Sequence, residues 1–160
     1  MNNDFLQGTW VYRSWNNDTN LAATSDSLVF GQGYIRIDES NPAAFKGLIY
    51  GPKNSADPNP TDTPFSWQLA LKGSTNYGNP VTVRFQGNGT VGGDQWIYNY
   101  VGYMIPPWQN GINEKPSMVG SIVRVIPPPS GQVDSNGQPV INPAGVVASW
   151  YEVKMDDADC

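Results

Sequence analysis

The stretch from Asp94 to Arg124 limits the fold of this chain more than any other part of the sequence. It reads as two long strands joined by a connection that contains proline and tryptophan. The first strand, WIYNYVGY, carries apolar or amphipathic side chains on both faces, whereas a strand with one face in water alternates apolar and polar residues. We therefore expect one face of this strand to line something other than bulk water.

Alternation of apolar and polar residues marks further strands on either side of this stretch. Residues 65–71 (FSWQLAL) and 81–87 (VTVRFQG) each place apolar side chains on one face. SLVF and GYIRID, which flank Gly31-Gln32-Gly33, fit a hairpin or one strand broken by a glycine bulge, and we favour the hairpin. The remaining predicted strands are 8–15, 45–50 and 146–155.

Two proline-rich segments, 52–64 and 125–145, are predicted surface loops, because proline cannot donate to a strand ladder. Helical spacing of apolar residues is absent from the sequence. The chain is therefore predicted to be all-β, with about eight sequential strands in a single domain that spans residues 1–160. Such strands form an antiparallel up-and-down barrel or a two-sheet sandwich, and the short turns between most of them favour the barrel.

The composition limits the classes of partner that the chain is expected to bind. The formal net charge is -5 and only 14% of residues are charged, so phosphate backbones and anionic lipid surfaces would repel the chain. We expect no nucleic-acid and no membrane partner, and leave a homo-oligomer open. The first residues lack the basic and apolar regions of a signal peptide, which makes the cytoplasm the default compartment, or secretion if a signal peptide has been removed.

The segment Leu6-Gln7-Gly8-Thr9-Trp10 resembles the G-x-W start of the calycin barrels, which include lipocalins, fatty-acid-binding proteins and avidins. In those families the tryptophan closes one end of the barrel, and in lipocalins an arginine from a late strand packs across it. The resemblance implies these roles for Trp10 and Arg124. It also implies a barrel interior that holds a small ligand.

The sequence contains no histidine, which removes the commonest general base near neutral pH and excludes Ser-His-Asp and Cys-His catalysis. The single cysteine, Cys160, ends the chain and cannot form an internal disulfide. The only clusters of oxygen ligands, Asp134-Ser135-Asn136-Gly137 and Asp156-Asp157, lack calcium-loop spacing and fit a turn and a solvated tail. We predict no metal and no cofactor.

Four arginines lie inside predicted strands between apolar neighbours: Arg13, Arg36, Arg84 and Arg124. Arginine tolerates partial burial because it stays charged and offers a planar fork to carboxylates. The favoured interpretation places them on the outer face, with their stems covering apolar surface. The alternative is that at least one points into the interior and holds an anionic ligand or a buried carboxylate.

Aromatic residues supply the candidate ligand site. Rings with N–H and O–H tips need polar partners when they are buried, and a cavity that holds a flat, partly polar ligand would provide them. A stiff flap over residues 104–116, with Trp108 at its tip, would border the mouth of the cavity. The predicted ligand-binding residues are Trp10, Tyr12, Trp67, Arg84, Trp96, Tyr98, Tyr100, Tyr103, Trp108 and Arg124.

Three functions fit these patterns. The first is a small-molecule binding barrel with an aromatic cavity for an apolar or flat ligand, with an anionic group as a further option. The second is a cofactor-free cyclase or isomerase, in a barrel similar to that of the allene oxide cyclases, with a tyrosine and an arginine or Glu152 as the reacting groups. The third is a structural or adhesive β-domain that binds another protein through exposed strand edges.

Overall fold

A computed structural model describes residues 5–17, 23–41, 44–51, 67–76, 78, 80–111, 114–126, 129–141 and 143–156. Within these ranges the regular structure is entirely β, with no α-helix. Accordingly, the described residues include no helix with the length and apolar character needed to span a bilayer.

Ten strands follow one another along the chain. They are β1 (Gly8–Asn16), β2 (Val29–Asn41), β3 (Ala44–Gly51), β4 (Trp67–Asn76), β5 (Thr82–Val91), β6 (Asp94–Ile105), β7 (Ser117–Ile126), β8 (Pro129–Val133), β9 (Pro139–Ile141) and β10 (Val147–Lys154). Eight of them close into an antiparallel barrel in the order β1-β10-β7-β6-β5-β4-β3-β2. The predicted all-β, up-and-down barrel is confirmed, and the sandwich alternative is wrong.

The closure depends on β1, which pairs along both of its edges. Trp10 lies opposite Lys154 of β10 on one side and opposite Ile35 of β2 on the other. The first and last strands are therefore hydrogen-bonded, and the eight barrel strands have no free edge. This closure argues against the adhesive-domain hypothesis, which needs exposed strand edges.

The favoured hairpin between SLVF and GYIRID is wrong, because Val29 and Phe30 continue into GYIRID within the single strand β2. The alternative, one strand with a bulge, fits the structure, since the pairing of β2 with β1 shifts register between Gly31 and Val29. Gly33 serves close approach rather than a turn. A Cβ at Gly33 would meet the backbone carbonyl of Tyr50 and the ring of Trp67. The strand therefore needs a residue without a side chain at a position where a ring crosses it.

The predicted loop 125–145 also needs correction, because it contains the two-stranded ribbon of β8 and β9. The turn between these strands is held by Asp134, whose Oδ1 accepts the backbone N–H of Asn136 at 2.8 Å and of Gln138 at 2.9 Å. A carboxylate that bonds the backbone two residues ahead is a common turn former. Each strand of the ribbon begins with a proline. Pro129 of β8 lies opposite Ile141, and Pro139 of β9 lies opposite Val133.

The core fills the inside of the barrel, called the lumen below. Alternate residues of each strand point into it, as in β4, where Leu69 and Leu71 are buried and Gln68 and Ala70 are exposed. Paired glycines make room for large rings: Gly102 lies opposite Gly120, and a Cβ at Gly102 would meet the Trp150 ring. The large buried residues include Trp10, Ile35, Phe45, Ile49, Val83, Phe85, Met118, Ile122 and Trp150.

One end of the barrel, called the Trp10 end, is closed by the chain that precedes β1. The indole Nε1 of Trp10 donates to the carbonyl of Leu6 at 2.9 Å. The ammonium of Lys154 donates to the carbonyl of Phe5 at 2.9 Å and lies 5.8 Å from the Trp10 ring. The expected pairing of Trp10 with Arg124 is wrong, since Arg124 lies towards the opposite end of β7 and a lysine takes its place.

Candidate functional site

Aromatic rings pack against one another in the middle of the lumen. Phe85 stacks on Tyr100 with ring centres 4.5 Å apart, and Trp150 meets Phe85 edge-on at 5.6 Å. Tyr12 packs edge-on against Tyr100 at 6.0 Å. The rings fill the centre of the lumen and contact one another, so this region is a packed core.

A carboxyl group lies inside this core. Glu152 of β10 points inward and has 0% exposure, and neither of its oxygens has a hydrogen-bond partner among the described residues. Burial disfavours the charged form, which raises the pKa of Glu152 well above its ordinary value. The side chain is therefore held as a neutral acid over a wide pH range.

Three inward tyrosines accompany Glu152. Burial raises the pKa of Tyr12 to about 12, even though its hydroxyl donates to Ser14 Oγ at 2.7 Å. Burial also raises the pKa of Tyr98, against the opposing effect of Arg124, and raises that of Tyr100 well above the usual value. All three phenols stay protonated near neutral pH and act as hydrogen-bond donors.

The opposite end, called the Arg124 end, contains an inward arginine. The guanidinium carbon of Arg124 lies 4.6 Å from the centre of the Phe30 ring, and its Nη1 reaches the carbonyl of Pro143 at 3.5 Å. Its Nε is buried and unpaired within the described part of the chain. The favoured prediction that the strand arginines lie on the outer face is wrong for Arg124, for which the inward alternative holds, although no described carboxylate pairs with it.

A groove of about 820 Å³ opens on the outer face of the barrel at β10, β1 and β2. Its lining also includes Tyr12, which belongs to the core, and Trp67, which packs against the core. This volume is within the usual range for small-molecule sites. Strand pairing sets its floor as two rows of outward side chains: Tyr151 beside Arg13 beside Gln32, and Val153 beside Val11 beside Tyr34. The groove is lined by Val11, Tyr12, Arg13, Trp15, Gln32, Gly33, Tyr34, Gly51, Trp67, Tyr151 and Val153.

Arg13 is the only charged residue among the described residues that line the groove. Its Nη2 donates to Gln32 Oε1 at 3.0 Å, which fixes the direction of the fork. Its Nη1 lies 3.9 Å from Asp26 Oδ1, too far for a hydrogen bond, and the Asp26 side chain is 87% exposed. The guanidinium therefore keeps donors that an anion in the groove can reach.

Aromatic rings form the walls of the groove. The Trp15 ring lies 6.0 Å from the guanidinium carbon of Arg13, and its Nε1 is shielded from solvent without a partner among the described residues. Tyr34 is stacked on the buried Tyr50 with ring centres 5.7 Å apart, which fixes its orientation. The groove thus combines flat apolar walls with the guanidinium of Arg13.

The predicted ligand-binding residues do not meet at one place. Tyr12 and Trp67 line the groove. Arg84 and Tyr103 were expected in the cavity, but both are exposed on the outer face because their strand neighbours point inward. The others on the strands point into the lumen: Trp10, Trp96, Tyr98, Tyr100 and Arg124.

Trp108 is 65% exposed in the connection between β6 and β7. This connection is at the Trp10 end, away from the Arg124 end. The Trp108 ring lies against Gly111, where a Cβ would meet it, and the backbone N–H of Gly111 donates to the Trp108 carbonyl at 2.9 Å. Trp108 therefore packs on its own turn and does not line the groove.

Sequence reasoning missed most of the groove, including Trp15, Tyr34 and Tyr151. Arg13 had been singled out as a strand arginine but not as a site residue. The available signal was the outward face of β1, where Val11, Arg13 and Trp15 alternate with the inward Trp10, Tyr12 and Ser14. Large side chains on both faces of a strand indicate that each face packs against other side chains or a ligand.

Comparison with known proteins identifies no relative: no protein family, no characterised protein and no solved structure matches the chain. Across the described residues, no group of three or more acidic or cysteine side chains could hold a metal ion. The candidate site is therefore defined by its geometry alone.

The buried Glu152 predicts how stability depends on pH. Both states of the chain bind the proton below the ordinary pKa, and both release it above the raised folded pKa. Between these two values only the folded chain keeps it, so the unfolding free energy should fall as pH rises through this interval. Glu152→Gln, which stays neutral, should remove that fall and be more stable than the parent at neutral pH.

Thermal unfolding from about pH 4 to about pH 8 measures this difference. Glu114→Gln is the control, because Glu114 is exposed and its substitution should leave the pH dependence of the parent unchanged. Parallel curves for the parent and Glu152→Gln would show that the carboxyl is not buried as described.

Proposed function

We propose that this chain is a small-molecule binding barrel whose ligand lies in the outer groove beside Arg13. The proposal is supported by one observation above the others: the groove is concave and walled by aromatic rings, and the guanidinium of Arg13 keeps N–H donors beyond the one that bonds Gln32. The lumen, by contrast, is occupied by rings that pack on one another. The interior cavity expected from the sequence is thus replaced by a site on the barrel wall.

The donors of the groove indicate the class of ligand. Arg13 offers N–H groups, and the only charge among the described lining residues is positive. A ligand that satisfies them must carry acceptor oxygens, and an anionic group would gain most from the guanidinium. Flat apolar walls favour ring stacking. The ligand class is therefore a planar ring system with a carboxylate or sulfonate.

A fluorescent naphthalene sulfonate, 1-anilinonaphthalene-8-sulfonate, has both features and serves as the probe. We expect saturable binding that Arg13→Gln weakens by about 10- to 100-fold, since a hydrogen bond to a charged group contributes roughly 1.5–3 kcal/mol. Trp15→Ala should also weaken binding, and Trp15→Phe should retain most of it. A fluorescence titration of each variant measures these affinities.

Arg84→Gln is the matched control, because Arg84 is an exposed outward arginine on β5, outside the groove. It should bind the probe as the parent does. Equal binding by the parent and Arg13→Gln would show that the probe binds outside the groove. Weaker binding by Glu152→Gln would show that it binds in the lumen.

A second candidate function, a cofactor-free isomerase or cyclase, is favoured by Glu152. A carboxyl held in an apolar interior with a raised pKa has the properties of a general acid or base near neutral pH. The neighbouring phenols of Tyr12 and Tyr100 are hydrogen-bonded to each other, and Tyr12 donates to Ser14, which places a polar chain of hydroxyls beside the carboxyl. This function requires that a substrate enters the packed lumen.

The benzisoxazole elimination tests this second candidate. In 5-nitrobenzisoxazole a carboxylate removes the C3 proton while the N–O bond breaks, and the bond electrons leave on the phenolate oxygen. If the lumen admits a substrate, the rate should rise with pH as Glu152 loses its proton, and Glu152→Gln should abolish the rise. Equal rates for the parent, Glu152→Gln and the control Glu114→Gln would contradict a reactive carboxyl.

A further inference from the structure

The outer faces of β6, β7 and β10 form a continuous uncharged surface, called the neutral wall below. The strands are adjacent in the barrel, and pairing places Tyr103, Val119 and Tyr151 in one row across them. None of the outward residues that build this wall is charged. They are Asn99, Val101, Tyr103, Ile105, Val119, Ser121, Val123, Val147, Ser149, Tyr151 and Val153.

Large apolar side chains on this wall are open to solvent. Tyr103 is 50% exposed, Val147 45%, Tyr151 39%, Ile105 38% and Val101 37%. The largest exposed apolar patch of a soluble monomer, typically about 300–600 Å², is often a functional contact surface. Tyrosine enrichment without lysine or glutamate is also the composition of interface cores.

The outer face on the other side of the barrel is different. Lys46 of β3, Lys72 of β4 and Arg84 of β5 are exposed there, together with polar side chains such as Gln68 and Gln86. None of the large exposed apolar residues in the described chain belongs to β2, β3, β4 or β5. The apolar exposure is therefore specific to one side rather than a general property of the surface.

We propose that the neutral wall is the contact surface between two copies of this chain, related by a twofold axis. A wall without charge offers nothing to select a charged partner, but it is complementary to another neutral wall. Each copy carries a net charge of -5, and contact through the uncharged side keeps the charged sides of the two barrels apart. A twofold pair requires one self-complementary patch, which this wall provides.

The size of the neutral wall determines how tightly two copies of the chain are expected to associate. Three strands at about 4.8 Å spacing are about 14 Å wide, and about seven residues make them about 23 Å tall. The projected area is thus on the order of 330 Å², below the roughly 800 Å² per partner of a standard interface. We therefore expect a reversible dimer that dissociates in the micromolar range, about 1–100 µM.

Sedimentation velocity from about 1 µM to about 300 µM measures the association. The parent should shift from its 17.5 kDa monomer towards twice that mass. Tyr103→Lys should raise the dissociation constant at least about ten-fold, because it replaces the most exposed apolar side chain of the wall by a charge in each copy. Val101→Lys is a second variant at an exposed position, and circular dichroism confirms that each variant is folded.

Ala70→Lys is the matched control, since Ala70 is an exposed outward residue on β4, across the barrel from β10. It should dimerise as the parent does. A parent that stays monomeric at the highest concentration overturns the proposal, and so does a dimer that Tyr103→Lys and Val101→Lys leave intact. Neither residue lines the groove, but Tyr151 and Val153 belong to both the groove and the wall. Titration with the naphthalene sulfonate probe is therefore carried out at about 0.1 µM protein, below the expected dissociation constant, where it should be unchanged in both variants.

Discussion

The pairing of β1 with both β10 and β2 is the constraint on which the rest of the structure depends. Closure of the sheet removes its edges and forces every strand to present one face to the lumen and one to the outside. Because the period of a strand is two residues, neighbouring positions of β1 serve different purposes. Trp10 and Tyr12 pack in the core, while Val11, Arg13 and Trp15 face outward into the groove.

The charged groups are unevenly distributed between the interior and the exterior of the barrel. Glu152 and Arg124 both lie inside the barrel, yet each has a buried polar atom without a partner among the described residues. Burial keeps the carboxyl neutral, which limits its cost. Outside, the cations Lys46, Lys72 and Arg84 lie on one side of the barrel, and the neutral wall lies on the other. The ligand groove borders this wall at Tyr151 and Val153.

Alternation in the sequence predicted the barrel and most of its strands, because a two-residue period follows directly from strand geometry. The hairpin predicted at Gly31-Gln32-Gly33 failed for a tertiary reason, the close approach of Tyr50 and Trp67 to Gly33. The ligand site was harder to predict, because periodicity separates the two faces of a strand but does not tell which face is inside. The groove also requires the register between β10, β1 and β2, and register depends on closure of the whole barrel.

The central claim is that a planar anionic ligand binds outside the barrel while the lumen stays packed. Nuclear magnetic resonance of the six tryptophan indole N–H groups, labelled with nitrogen-15, tests it directly. On addition of the naphthalene sulfonate probe, the signals of Trp15 and Trp67 should shift with saturation, because both line the groove. The signals of Trp10 and Trp150 should stay in place, because both are buried in the core. A saturable shift of Trp150 with no change at Trp15 would contradict the account and place the ligand in the lumen.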